Sequence, residues 1–251
     1  MKKRSDLTVY GIHAVEELLA KRSNEIDRIY FDTQHTKGRA FDLLKQCRKR
    51  KIPCQCIPSR RLNQLAHTGK HQGVVARCAV KPYDDIKYLE QIITQTDTPP
   101  LIVVPASCED PGNFGALIRT SVAFGVTALL LERKQTVPLN ATVAKASAGM
   151  VEHITIVKPP SLEKVITDCK LKGFTVAGAE AGTGKQPQEI DFTLPTILIV
   201  GGERRGIPPY LQKLCDDFVS IPITDTAGSL NVSVAASILI YECMKQRGFK
   251  K

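Results

Sequence analysis

Three stretches of this sequence set polar and charged side chains beside backbone that a ligand could approach. In Asp110-Pro111-Gly112-Asn113-Phe114-Gly115-Ala116-Leu117-Ile118-Arg119-Thr120, a Pro-Gly turn leads into a helical pattern that carries Asn113 and Arg119. Gly201-Gly202-Glu203-Arg204-Arg205-Gly206-Ile207 joins two glycines to an acid and two guanidiniums, with no bulky side chain to hold a ligand off the main chain. Ile221-Pro222-Ile223 opens a polar loop that reaches Ser229-Leu230-Asn231 at the start of a further helical pattern. Amide, hydroxyl and guanidinium groups of this kind orient a polar substrate and stabilise developing charge. On residue type alone, Asn113 reads equally as a helix cap and Arg119 as a surface charge.

The elements that must position them follow from periodicity. Short apolar runs at 101–104, 128–131, 154–157, 174–177, 197–200 and 218–221 alternate with helical stretches at 114–124, 142–150, 161–170, 209–214 and about 231–246. Four-residue apolar strands between helices predict a parallel sheet with helices on both faces, and ligands bind such sheets beyond the carboxyl ends of the strands. Residues 101–251 are therefore expected to form one α/β domain. Thr-Asp-Thr-Pro-Pro at 96–100 ends a predicted linker over 84–100. Residues 1–83 read as a separate small α/β unit, with a helix from Gly11, strands at 26–31, 53–57 and 72–77, and a basic helix over 38–51.

Charge separates the halves. Residues 1–82 hold 18 Lys and Arg against 7 Asp and Glu, whereas the remainder is close to balance. A small domain with that excess repels itself unless a polyanion neutralises it, so nucleic acid is the expected partner, with Arg48, Arg50, Arg60 and Arg61 as candidate contacts. No apolar run is long enough to span a bilayer and no apolar segment follows the basic start, so a cytoplasmic protein with no membrane partner is expected. The cysteines lack zinc spacing and the histidines lack triad or metal partners, so no metal is predicted. Gly178-Ala179-Glu180-Ala181-Gly182-Thr183-Gly184-Lys185-Gln186 satisfies neither the phosphate-loop nor the dinucleotide fingerprint and reads as a flexible loop.

Taken together, the three stretches resemble the SpoU/TrmH branch of the SPOUT RNA 2′-O-ribose methyltransferases. The matches are N-x-x-x-x-x-R-T at 113–120, G-x-E-x-x-G-I at 201–207, and I-P followed by S-L-N-V-S-x-A-A from Ile221 to Ala236. GIHAVEELL and HQGVVA near the two ends of the first unit resemble the family's RNA-binding accessory domain. The resemblance implies a carboxyl-terminal trefoil knot, a homodimer, and S-adenosylmethionine held by Gly201, Ile221 and Leu230. It also implies a catalytic set of Asn113, Arg119, Glu203, Ser229 and Asn231. The chain departs from the family pattern in following Glu203 with Arg204-Arg205, where a small residue is usual; these two would either hold a substrate phosphate or change which RNA is accepted.

The implied reaction is methyl transfer to the ribose 2′-hydroxyl of a guanosine in 23S ribosomal RNA. The rivals are a tRNA guanosine and a non-catalytic ribosome-assembly role for the same fold. In this family an arginine matching Arg119 is proposed as the base. A guanidinium with a pKa above ~12 is not readily deprotonated in a protein. Arg119 is instead read as stabiliser of the developing alkoxide, with substrate phosphate or water taking the proton. A chain beginning near residue 97 is expected to bind cofactor and to methylate RNA poorly.

Overall fold

The computed structural model describes residues 6–34, 36–134, 136–182, 184–202, 206–224, 226 and 228–249. The chain divides into two compact units. One comprises 1–82 with 138–153, and the other 83–137 with 154–251.

The first unit runs β1 (Asp6–Tyr10), α1 (Ile12–Lys21), β2 (Ile26–Asp32), α2 (Arg39–Lys49), β3 (Cys54–Ile57), α3 (Ser59–Ala66) and β4 (Val74–Ala79). Among the described residues these strands form a sheet in the order β1-β4-β2-β3. β4 is antiparallel to both neighbours, while β2 and β3 are parallel and so need α2 as a crossover. Alternation along the strands gives each face its own cover. Leu62 and Ala66 of α3 pack with Val75 and Ile57, beside Tyr10 and Tyr30. Val9, Ile29, Phe31 and Ala76, one residue out of phase, are buried on the other face, the side of α1 and α2. β1 and α3 are elements that the periodicity of the sequence does not predict.

The second unit begins with α4 (Ile86–Thr94) and continues through β5 (Leu101–Pro105), α5 (Pro111–Ala123) and β6 (Ala128–Leu130). α6 (Ala141–Ala146) belongs to the excursion described below. β7 (Thr155–Val157), α7 (Leu162–Leu171), β8 (Thr175–Ala179), β9 (Thr196–Val200), α8 (Pro209–Gln212), β10 (Asp217–Val219) and α9 (Val232–Gln246) complete it. Among the described residues the sheet has the order β10-β8-β9-β5-β6-β7, with every pairing parallel. Ile102, Val104, Ile197 and Ile199 face a core built with α4, α7 and Leu211 of α8. Leu101, Val103, Leu198 and Val200 are equally buried on the opposite face, the side of α5 and α9. The expected sheet, covered on both faces, is the one observed.

Residues 84–100, expected to form a linker, are instead structured. The Asp85 carboxylate accepts from the Lys87 amide at 3.1 Å and starts α4, whose Leu89 and Ile93 are buried in the core.

Residues 138–153 leave the second unit and pack within the first. Gly149, at φ +84°, lies against α1, where an added Cβ would come within 2.7 Å of the Glu17 Cβ. Arg22 donates to Glu152 at 3.2 Å, to Glu25 at 2.5 Å and to the Ala79 carbonyl at 2.9 Å. Burial pushes the Glu152 carboxyl above its ordinary range, opposed by the Arg22 and Lys81 charges.

Candidate active site

The chain segments leaving β5 and β9, neighbours in the parallel sheet, turn to opposite faces, α5 on one and α8 on the other. Such a divergence opens a crevice beyond the strand ends, and the three motifs lie there.

At the end of β9 the main chain folds back on itself. Gly202 and Gly206 exchange two backbone hydrogen bonds, at 3.1 and 3.0 Å. A Cβ on Gly201 would sit 2.6 Å from the Gly206 carbonyl carbon, and one on Gly202 would sit 2.7 Å from the Ser107 oxygen. Both positions therefore exclude a side chain, which is the physical reason for the paired glycines. Glu203, Arg204 and Arg205 lie outside the described residues.

Beside this turn is a cavity of 310 Å³ whose walls include Val200, Gly201, Gly206, Val219, Ile221, Ile223, Ser229, Leu230 and Val232. Gly201, Ile221 and Leu230, the three expected cofactor contacts, all line it. Its volume falls in the range of small-molecule sites, and its walls are mostly small and aliphatic residues. An adenosyl group, with flat apolar faces and a hydrogen-bonding edge, suits such a lining. A further wall comes from Ala179, Glu180 and Ala181, in the stretch read from sequence as a flexible loop.

The catalytic candidates are partly assembled. The Asp110 carboxylate, not Asn113, caps α5, accepting from the Asn113 amide at 2.7 Å. Pro111 then occupies the first helical position, where its missing N–H costs nothing. The Asn113 side chain is thereby left for another contact, and its Oδ1 accepts from Asn231 Nδ2 at 3.0 Å. Asn231 caps α9 through its own Oδ1. Ser229, two residues earlier, lines the cavity. Arg119 is exposed and among the described residues has no hydrogen-bond or ion-pair partner. It lies just over two turns into α5, whose Phe114, Leu117 and Ile118 are at most 1% exposed. Thr120, the next residue, accepts from Ser237 Oγ of α9 at 3.0 Å.

The basic candidates of the first unit do not form one patch. Arg48 lies on α2 and Arg50 caps its carboxyl end, whereas Arg60 and Arg61 lie on α3, over the opposite face of the sheet. Arg50 also donates to the Leu19 carbonyl at 2.9 Å, so it holds α2 to α1.

Burial pushes the thiols of Cys47, Cys78 and Cys243 up to about 12, and those of Cys169 and Cys215 up to about 11. These cysteines are poor nucleophiles at neutral pH. Among the described residues no group of three His, Cys, Asp or Glu side chains is placed to hold a metal ion, and no helix is long and apolar enough to cross a membrane.

Fold and site together define an α/β protein with a small-molecule cavity beyond the strand ends of its parallel sheet, and comparison with known proteins identifies its family. Residues 100–241 match the SpoU rRNA Methylase family, and residues 8–84 match the RNA 2′-O ribose methyltransferase substrate-binding domain. The chain belongs to the SpoU rRNA methylase family and is an RNA methyltransferase. It is 33% identical over 244 residues to a protein of Staphylococcus haemolyticus assigned to the TrmH family of tRNA/rRNA methyltransferases, covering 96% of both chains. A Bacillus subtilis protein of the same assignment is 31% identical over 239 residues, covering 95% of both. Among solved structures, the SpoU methyltransferase AviRb of Streptomyces viridochromogenes, in complex with AdoMet, aligns with a TM-score of 0.77 at 24% identity. That alignment covers 96% of this chain and 90% of AviRb.

Proposed function

We propose that the enzyme transfers a methyl group from S-adenosylmethionine to the ribose 2′-hydroxyl of a guanosine in 23S ribosomal RNA. The observation that carries the reading is the Asn231–Asn113 hydrogen bond, which joins the first and third motifs beside a cavity lined by Gly201, Ile221 and Leu230. The bound cofactor would supply an electrophilic methyl group on sulfur. Backbone groups of Gly201, Ile221 and Leu230 would hold it. Asn113, Ser229, Asn231 and Glu203 would orient the ribose, and near-attack placement alone contributes roughly 7–11 kcal/mol. Arg119, with no partner among the described residues, is available to stabilise the developing alkoxide, while substrate phosphate or water accepts the proton. Arg204 and Arg205 would hold a phosphate of the target strand.

Arg48, Arg50, Arg60 and Arg61 would contact RNA from the first unit, and a full accessory unit favours ribosomal RNA over tRNA. The knot belongs to the same reading, since the segment after β10 returns to the cavity before α9 begins. So does a homodimer in the cytoplasm. Val234, Ile238 and Tyr241 are 46%, 40% and 49% exposed along one stripe of α9, and Tyr241 meets Phe124 and Phe249. A partner copy of that stripe would cover this apolar surface.

Mapping 2′-O-methyl groups in total RNA from cells with and without the gene tests the reading. Loss of one 23S guanosine methylation supports it, whereas loss confined to tRNA moves the substrate. Unchanged RNA overturns the reading. Sedimentation of a Tyr241→Glu, Ile238→Glu variant should give a monomer where the parent gives a dimer.

A further inference from the structure

One wall of the cavity comes from none of the three motifs. It is the turn after β8, whose described residues are bonded to β10 and to Ser220 just after it. The Glu180 amide donates to the Val219 carbonyl at 3.0 Å, and the Gly182 amide to Ser220 Oγ at 3.1 Å. Lys185 and Phe218 are joined by a backbone bond at 2.9 Å, and Lys185 Nζ pairs with Asp217 at 2.6 Å. Gly184, at φ +108°, passes so near β10 that a Cβ there would come within 2.5 Å of the Phe218 oxygen.

Glu180 is the one ionisable side chain among the described residues that line the cavity. Its carboxylate has no hydrogen-bond or ion-pair partner among the described residues, and Lys185 of the same turn is paired with Asp217. Glu180 is half-buried at the cavity wall, so its carboxylate is open to donors that a ligand brings. On the adenosyl-cofactor reading above, we propose that Glu180 is a binding residue that accepts both hydroxyls of the cofactor ribose.

The other donors of the cofactor fit less well. The reacting methyl must lie toward Asn113 and Asn231, and β9 separates β8 from β5, so Glu180 is on the far side from the chemistry. The amino-acid end carries its own carboxylate, which Glu180 would repel. The adenine amine stands beside ring nitrogens that are acceptors, and these too would face a carboxylate oxygen. A vicinal diol presents two donors to two acceptors without either conflict.

Calorimetry on the full chain with S-adenosylhomocysteine, 5′-methylthioadenosine and the 3′-deoxy form of the latter separates these possibilities. Glu180→Ala should weaken the first two by the same factor, roughly 10- to 100-fold for hydrogen bonds to a charged group. It should weaken the 3′-deoxy compound far less. Glu180→Gln, which keeps one acceptor and nearly the same shape, should fall between, with an unchanged melting temperature. Loss with S-adenosylhomocysteine but not methylthioadenosine would assign Glu180 to the amino-acid end and overturn the proposal. So would an equal loss with the 3′-deoxy compound, or no loss at all. A wild-type chain that binds none of the three would overturn the cofactor reading itself, and this proposal with it.

Discussion

Asn231 ties two helices together with one amide: its Nδ2 donates to Asn113 Oδ1 at 3.0 Å, and its Oδ1 accepts from the Ser233 amide at 2.9 Å. The side chain thus starts α9 and fixes the first turn of α5. Asn231→Asp keeps the capping acceptor but sets a carboxylate against Asn113 Oδ1. Turnover should fall by about 100-fold through misplacement of the ribose, while the melting temperature stays within a few degrees of the parent. Near-parental turnover in single-turnover assays would make the bond purely structural.

Arg119 is exposed on the same face of α5 as the exposed Ala116 and Ala123, away from the packed Phe114, Leu117 and Ile118, so replacing it should leave the fold intact. Arg119→Ala should lower turnover by roughly 10²–10³-fold without changing cofactor affinity, because the charge is needed only as the alkoxide develops. Arg119→Lys should also be impaired, since an ammonium does not reproduce the guanidinium fork. Full activity in the lysine variant would refute that role.

Salt dependence reports how the first unit grips phosphate. Arg48, Arg60 and Arg61 are exposed, and replacing any one that neutralises a phosphate should flatten the plot of log affinity against log salt by about 0.7–0.9. Arg48 is on the α2 side of the sheet and Arg60 and Arg61 are on the α3 side, so substitutions on one face of the unit should weaken RNA binding more than those on the other. Arg50→Ala differs from these. It loses the bond to Leu19 and should lower stability as well, by about 1.5–3 kcal/mol for a bond from a charged donor.

His71 gives the first unit a pH dependence. Its Nδ1 accepts from the Gly73 amide at 3.0 Å and its Nε2 meets Asn63 Oδ1 at 2.8 Å, an arrangement that needs the neutral ring. Burial lowers its pKa below 6.5, with Asp32 opposing. The unfolded chain therefore binds the proton more readily. The stabilisation is complete above the unfolded value of about 6.5 and is lost as pH falls below it toward the lowered folded value. Urea midpoints measured from pH 7.5 to 5 should decline in the parent and decline less in His71→Gln. Parallel declines would exclude His71 as the source.

The second unit is legible in the sequence wherever local pattern decides structure. Its central strands are apolar on both faces, which gives uninterrupted runs such as 197–200 with few competing interpretations. The start of α5 is harder, because Pro-Gly at 111–112 suggests a turn, when Asp110 followed by Pro111 is a cap with proline at the first helical position. α4 is hidden by the Thr- and Pro-rich stretch behind it, although Ile86, Leu89 and Ile93 keep helical spacing. The glycine-rich turn fails both nucleotide fingerprints, and only its bonds to β10 bring Glu180 to the cavity. The Arg22–Glu152 pair spans 130 positions of sequence, beyond any window that reads periodicity.

Glu152 of that pair belongs to the excursion of residues 138–153, which lies inside the methylase-family segment of the sequence yet folds with the first unit. The gene therefore has no single position at which scissors would separate the two units. A chain beginning near residue 97 would keep Val143, Ala144 and Val151 while losing the surface they pack on, and would keep Glu152 without Arg22. Transplanting the first unit onto another methylase would require carrying a strip of its host along with it. RNA recognition and catalysis are thus inherited as one interleaved object, although the family profiles divide the chain in two.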